Sequence, residues 1–174
     1  MKTRVIMKVM HIIFWIIFVS LCIKTGALIV SFFMSLFNNP DDFGNLYLGI
    51  SFFELNPIYI AHYIGILSFL IVLTGMKAYI AYLAIKVFMK FDINNPFNYY
   101  VAQLISKIGY FALGIGIVAL IANQYTERIV KKGAEMSQID WGAQEFLFFA
   151  GIIYILTLVF KRGVEIQNEN ELTI

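Results

Sequence analysis

Four long apolar segments, separated by short polar ones, dominate the chain. They lie at residues 9–37, 58–89, 101–123 and 143–160. A helix needs about 20 residues, or ~17 at the short end, to cross the hydrocarbon core of a bilayer. The pattern therefore predicts one transmembrane domain over residues 1–174, with four spans and a polar tail at residues 161–174.

Asparagine-proline pairs mark predicted helix starts, because asparagine caps a helix and proline fits its first position. The second helix is predicted to begin at Pro57 and end near Lys90. The third is predicted to begin at Pro96 and can continue to Lys132. Gly163 offers a point at which the fourth helix can stop or bend, since glycine often follows the last helical residue.

One connecting segment has a different period. Residues 45–53 alternate between large apolar side chains and polar or small ones, which is typical of a half-buried strand. An isolated strand is unstable and would need a partner. The predicted fold class is an all-α integral membrane four-helix bundle, with a short extracytoplasmic β element at residues 45–53 as an open alternative.

The composition agrees with a membrane protein and excludes several other classes. Hydrophobic residues make up 60% of the chain and charged residues 14%, whereas soluble domains are about half apolar and roughly a quarter charged. The formal net charge of +2 is too small to indicate direct nucleic-acid binding. The single cysteine, Cys22, excludes an internal disulfide. The lipid bilayer is the predicted environment.

The basic residues beside the spans predict the orientation, because lysine and arginine are retained on the cytoplasmic side. With the N-terminus inside, the outer loops contain only Arg128, Lys131 and Lys132. The larger basic set then lies inside, at Lys2, Arg4, Lys8, Lys86, Lys90, Lys107, Lys161 and Arg162. Both termini are therefore predicted to be cytoplasmic.

Lys24 and Lys77 interrupt the first and second apolar segments. A charge within a span is costly, which makes both residues functional candidates. In one interpretation the stem covers apolar surface and the ammonium group reaches the membrane edge, outward for Lys24 and inward for Lys77. In the other, the lysines face a polar site inside the bundle, and Glu54, Asp140 and Glu145 are the candidate counter-charges.

Other chemistry is sparse. His11 and His62 are predicted at opposite faces of the bilayer, too far apart for a shared metal or haem. The sequence contains no recognisable nucleophile and base pair. We expect no metal site, no cofactor, no catalytic residue and no enzymatic activity. Ala112 and Gly116 have the small-xxx-small spacing of close helix packing, within one chain or in a homo-oligomer.

Most tryptophans and several tyrosines fall near predicted membrane edges, where amphipathic rings anchor a span. We interpret them as anchors and not as a cofactor site. The set comprises Trp15, Tyr59, Tyr63, Tyr99, Tyr100, Tyr125 and Trp141.

The middle loop at residues 90–97, the Phe-Lys-Arg-Gly at residues 160–163 and the Glu-Leu-Thr-Ile ending at residues 171–174 carry a resemblance. With the four spans, they resemble the bacterial membrane proteins grouped as domain of unknown function 2975. That family has no assigned activity. The resemblance implies a bacterial inner-membrane location and a cytoplasmic helix-turn-helix regulator as a candidate partner, since such a gene often lies next to the family's genes.

Two functions of different classes remain. The first is a membrane sensor or anchor for a cytoplasmic helix-turn-helix regulator, with candidate contacts at Phe97, Glu165, Leu172 and Ile174. The polar tail motivates it, because spanning the membrane does not require that segment. The second is a small transporter or channel subunit whose intramembrane lysines line a polar path.

Overall fold

The computed structural model describes residues 2–37, 57–92, 96–131 and 139–171. It contains four helices: α1 (Lys2–Phe37), α2 (Pro57–Lys90), α3 (Tyr99–Lys131) and α4 (Ala143–Glu171). Each contains a segment long and apolar enough to cross a membrane. The prediction of an all-α, multi-pass membrane bundle is confirmed. The predicted strand at residues 45–53 lies outside the described residues.

Consecutive helices run antiparallel. Phe14 near the start of α1 lies 5.4 Å from Phe88 near the end of α2, measured between ring centroids. Tyr79 of α2 lies 4.5 Å from Phe111 of α3 in the same way. The start of α1, the end of α4 and the α2–α3 connection therefore share one end of the bundle, which we call the terminal end. We call the other the opposite end.

The core lies among α2, α3 and α4, whereas α1 packs against α2. Leu28 is the one buried residue of α1 among its described side chains, and most of that helix is exposed. A helix that is apolar all round and exposed must face lipid. The largest core cluster consists of Ile66, Leu73, Ile115, Ala119, Ala122, Ile129, Trp141 and Ala143.

Helices α3 and α4 approach closely at small residues. A Cβ atom at Gly116 would lie 2.6 Å from Cδ2 and 3.2 Å from the backbone nitrogen of Leu147. Ala112, one turn earlier, is fully buried. A Cβ atom at Gly109 would lie 3.1 Å from Ile153. The predicted close packing at Ala112 and Gly116 is confirmed as an interface within the chain.

The predicted helix boundaries hold for α2 but not for α3. Helix α2 begins and ends where predicted. Helix α3 begins at Tyr99 and not at Pro96. The cap is Asn98, whose Oδ1 accepts a 2.8 Å hydrogen bond from the backbone N–H of Tyr100. An asparagine closer to the helix thus satisfies the free N–H groups, and the proline stays outside.

Helix α4 does not stop at Gly163, which was the first of the two alternatives for this glycine. Helix α4 continues through this glycine to Glu171, so most of the predicted tail is helical. Gly142 is the glycine with positive φ among the described residues, at 69°. Gly163 therefore lacks the left-handed conformation with which glycine usually ends a helix.

Candidate functional site

A tight turn fixes the start of α4 at the opposite end. Gly142 has a φ of 69°, which glycine adopts without steric cost. Its N–H donates a 2.9 Å hydrogen bond to Oδ1 of Asp140, and its carbonyl oxygen accepts a 3.2 Å bond from the N–H of Phe146. The turn places Glu145 and Phe146 in the first turn of α4, as the predicted start at residue 143 requires.

Lys77 extends from α2 toward this turn. Its Nζ lies 4.9 Å from the centroid of the Phe146 ring, a cation–π distance. Met76, which precedes Lys77, contacts Gly114 of α3. Gly114 is closer to the terminal end than Gly116, which packs against Leu147 of α4. The lysine therefore reaches toward the opposite end and toward α4. If the terminal end is cytoplasmic, as the basic residues predict, this direction differs from the inward one that the first interpretation gave to Lys77.

Lys77 shares its surroundings with three of the other predicted charged residues. The charges that act on it come from Lys24 on α1 and from Asp140 and Glu145 at the start of α4. The register agrees, because Thr25 lies 4.0 Å from the position of a Cβ at Gly75. Lys24 and Lys77 thus lie at the same height. Glu54, the remaining candidate counter-charge, is outside the described residues.

We call Lys24, Lys77, Asp140 and Glu145 the charge cluster. Lys24 is exposed and Lys77 is half-buried, and neither forms a salt bridge within the part of the chain that the structure describes. The carboxylate of Glu145 turns back toward the turn, with Oε2 3.7 Å from the position of a Cβ at Gly142. Both carboxylates therefore lie beside the turn, and both are closer to the opposite end than the lysines are. The arrangement can hold a group with separated charges.

An aromatic cluster packs beside the charge cluster. His62 Nδ1 and the hydroxyl of Tyr125 are 3.1 Å apart and hydrogen-bonded. Trp141 is 2% exposed, and its Nε1–H donates a 3.4 Å bond to Oγ1 of Thr126. Phe69 packs against the rings of Tyr125 and Trp141. The interpretation of Trp141 as a membrane anchor is wrong, because its ring is buried in protein. A ring near a membrane edge has the same sequence signature whether it faces lipid or protein.

At the terminal end, the loop between α2 and α3 packs onto α4. The ring of Phe97 occupies the space where a side chain at Gly163 would lie. It also contacts Phe160 edge-on, with ring centroids 5.7 Å apart. Val164 beside it is buried. We call this contact the Phe97 clasp. It explains why Gly163 lies in mid-helix, since the residue provides room for a neighbouring ring.

Beyond the clasp, α4 presents an exposed surface. Arg162 and Glu165 form a 2.8 Å ion pair with side chains 68% and 59% exposed. Ile166 is 47% exposed. Of the candidate partner contacts, Phe97 and Glu165 are therefore placed near each other at one end of α4. Leu172 and Ile174 lie outside the described residues.

Metal-ligand geometry is absent from the described ranges. No group of three His, Cys, Asp or Glu side chains there could hold a metal ion. His11 and His62 lie in the first halves of the antiparallel helices α1 and α2, and therefore toward opposite ends of the bundle.

These features define a multi-pass α-helical membrane protein with a charge cluster near one end and a helical extension at the other. No family model, no curated protein and no solved structure matches the chain. The resemblance to domain of unknown function 2975 gains no support from these comparisons. The partner that it implies remains a prediction.

Proposed function

We propose that this protein is a membrane sensor or anchor that acts with a cytoplasmic helix-turn-helix regulator. The observation that carries the proposal is the continuation of α4 to Glu171 as a helix whose described side chains beyond the Phe97 clasp are mostly exposed. Spanning the membrane does not require these turns. A helix held at its base presents a fixed surface to a partner, so less conformational entropy is lost on binding than with a flexible tail.

The exposed part of α4 has the composition of a contact surface. It combines Ile166 with the charged side chains of Arg162 and Glu165. An ion pair this exposed contributes little to stability, because solvent screens both charges. Both side chains can therefore exchange their intramolecular contact for a partner at little cost.

The same helix links this surface to the charge cluster. With 29 residues, α4 is about 44 Å long. Glu145 lies in its first turn and Glu165 near its last turns. A rigid displacement of α4 would move both sites together, which is the mechanical basis of the proposed sensing.

The proposal places both termini in the cytoplasm, on the basis of the basic residues beside the spans. The location in a bacterial inner membrane is the one that the resemblance implies. Fusion of alkaline phosphatase, which is active only outside the cytoplasm, to the C-terminus is expected to give an inactive reporter. The same fusion in the α3–α4 loop, after residue 135, is expected to be active. The reverse pattern would contradict the orientation.

The partner itself is tested by affinity purification from native membranes in mild detergent. A helix-turn-helix protein is expected to co-purify with the full chain and to be lost when residues 167–174 are deleted. The control replaces residues 167–174 with glycine and serine at constant length, which separates the effect of side chains from that of truncation. Retention of the regulator by both variants would contradict this contact.

A small transporter or channel subunit is the second candidate. The observation that favours it is the direction of Lys77, which points toward α4 inside the bundle. A homo-oligomer would then complete the path. Reconstituted vesicles should show an anion flux that Lys77→Met abolishes. Neither candidate assigns the protein an enzymatic reaction.

A further inference from the structure

The charge cluster has an order along the bundle axis. The two ammonium groups come from α1 and α2 at one height, and the two carboxylates lie beside the turn at Gly142. Positive charge therefore lies deeper in the membrane, and negative charge lies nearer the opposite end. Lys24 lies on α1, Lys77 on α2, Asp140 in the turn before α4 and Glu145 in the first turn of α4, so the packing of the bundle creates the order.

The two lysines do not neutralise each other. Lys24 and Lys77 lie at the same height on two helices that pack against each other. Two like charges repel, and a low-dielectric membrane strengthens the repulsion. An acceptor group bound between the two ammonium groups would relieve it.

The depth suits a lipid headgroup. The apolar segment of α1 extends from Val5 to Met34, 30 residues, or about 45 Å. If that segment is centred on a hydrocarbon core of ~30 Å, Lys24 lies about 8 Å inside the core boundary. Its flexible stem can carry the ammonium group to the phosphate level.

We propose that the charge cluster binds the headgroup of a phospholipid with a primary amine, of the phosphatidylethanolamine class. The phosphate lies between Lys24 and Lys77, and the terminal ammonium group lies at Asp140 and Glu145. In such a lipid the phosphate is closer to the acyl chains than the amine is, which matches the order of charges in the protein. This proposal does not rest on the sensor function.

The experiment is native mass spectrometry of the full-length protein, released from detergent after incubation with equimolar phosphatidylethanolamine, phosphatidylglycerol and phosphatidylcholine. We expect phosphatidylethanolamine to be retained preferentially. Phosphatidylglycerol lacks the amine, and the quaternary ammonium of phosphatidylcholine has no N–H to donate. Equal retention of all three lipids would overturn the proposal.

Substitutions test which residues bind the phosphate of the headgroup and which bind its amine. Lys24→Gln and Lys77→Gln are each expected to lower bound phosphatidylethanolamine roughly tenfold, the effect of losing one charge-assisted hydrogen bond. Lys77→Arg should retain most of it. The double substitution Asp140→Asn with Glu145→Gln should remove the preference over phosphatidylglycerol while phospholipid still binds.

Lys86 provides a matched control. It is also on α2 and also lies over an aromatic ring, with Nζ 4.5 Å from the centroid of Tyr82, but it is distant from the turn at Gly142. Lys86→Gln should leave lipid retention unchanged. Thermal unfolding of each variant in detergent identifies any that misfold. If Lys77→Gln misfolds, Lys77→Arg keeps the test decisive. A loss with Lys86→Gln equal to that with Lys77→Gln would overturn the proposal.

Discussion

Gly116→Val is expected to lower the stability of the purified protein more than other single substitutions in its spans. At this position α3 meets α4 so closely that even a Cβ atom would lie 2.6 Å from Cδ2 of Leu147. The backbone nitrogen of Leu147 is also near, so rotation of the leucine side chain cannot fully relieve the clash. Overpacking of a well-packed core costs about 1–3 kcal/mol, and valine is expected to reach the upper part of that range.

The matched control is Gly151→Val on the facing helix. Gly151 has nothing within 4 Å of the position of its Cβ, so the same change of residue adds a side chain to open space. The measurement is thermal unfolding in detergent, followed by the fluorescence of the buried Trp141 and by size-exclusion chromatography. Gly116→Val should unfold at a clearly lower temperature than Gly151→Val. Equal unfolding temperatures would contradict the close approach of α3 and α4.

The number of helices could be predicted because the bilayer sets a minimum length for an apolar segment, and the four segments exceed it or nearly reach it. The start of α3 could not be located with the same accuracy. Asn95 and Asn98 can both cap a helix, and the sequence does not show which side chain the backbone will use. In the structure Asn98 caps it.

The sequence could select Lys24 and Lys77 but could not decide between the two interpretations of where they point. The cost of an intramembrane charge identifies a lysine from its neighbours in sequence alone. The direction it faces depends on the rotation of its helix. In α1 and α2 apolar residues surround the whole helix, so no polar face indicates that rotation. The small residues Ala112 and Gly116 of α3 did identify an interface, because close approach requires them.

Gly163 illustrates the remaining ambiguity. Glycine near a helix end serves either as a terminator or as a place for a neighbouring side chain, and the two roles have the same sequence signature. The deciding residue is Phe97, far away in sequence. A long-range contact of this kind lies outside what local patterns report.

The Phe97 clasp leads to a prediction in which the sign of one substitution depends on a second. Gly163→Ala should gain up to about 1 kcal/mol of helix propensity in α4. In the native chain the new methyl group would occupy the place of the Phe97 ring, so the ring must leave and the gain is lost or reversed. In a Phe97→Ala background no ring is displaced, and Gly163→Ala should stabilise.

Phe97→Ala alone should destabilise by about 1–2 kcal/mol, below the ~3–5 kcal/mol of a fully buried phenylalanine, because the Phe97 side chain is 38% exposed. The double-mutant cycle is measured by chemical unfolding in detergent micelles, with co-purification of the regulator scored for the same four proteins. Tyr110→Ala, a 70% exposed aromatic residue of α3, is the control and should have little effect.

Because the clasp holds the base of the exposed extension, its release should weaken regulator binding even in the double variant, whose helix propensity is improved. Additive substitutions would show that Phe97 and Gly163 do not touch, and unchanged regulator binding in all four proteins would show that the clasp does not position the extension for a partner.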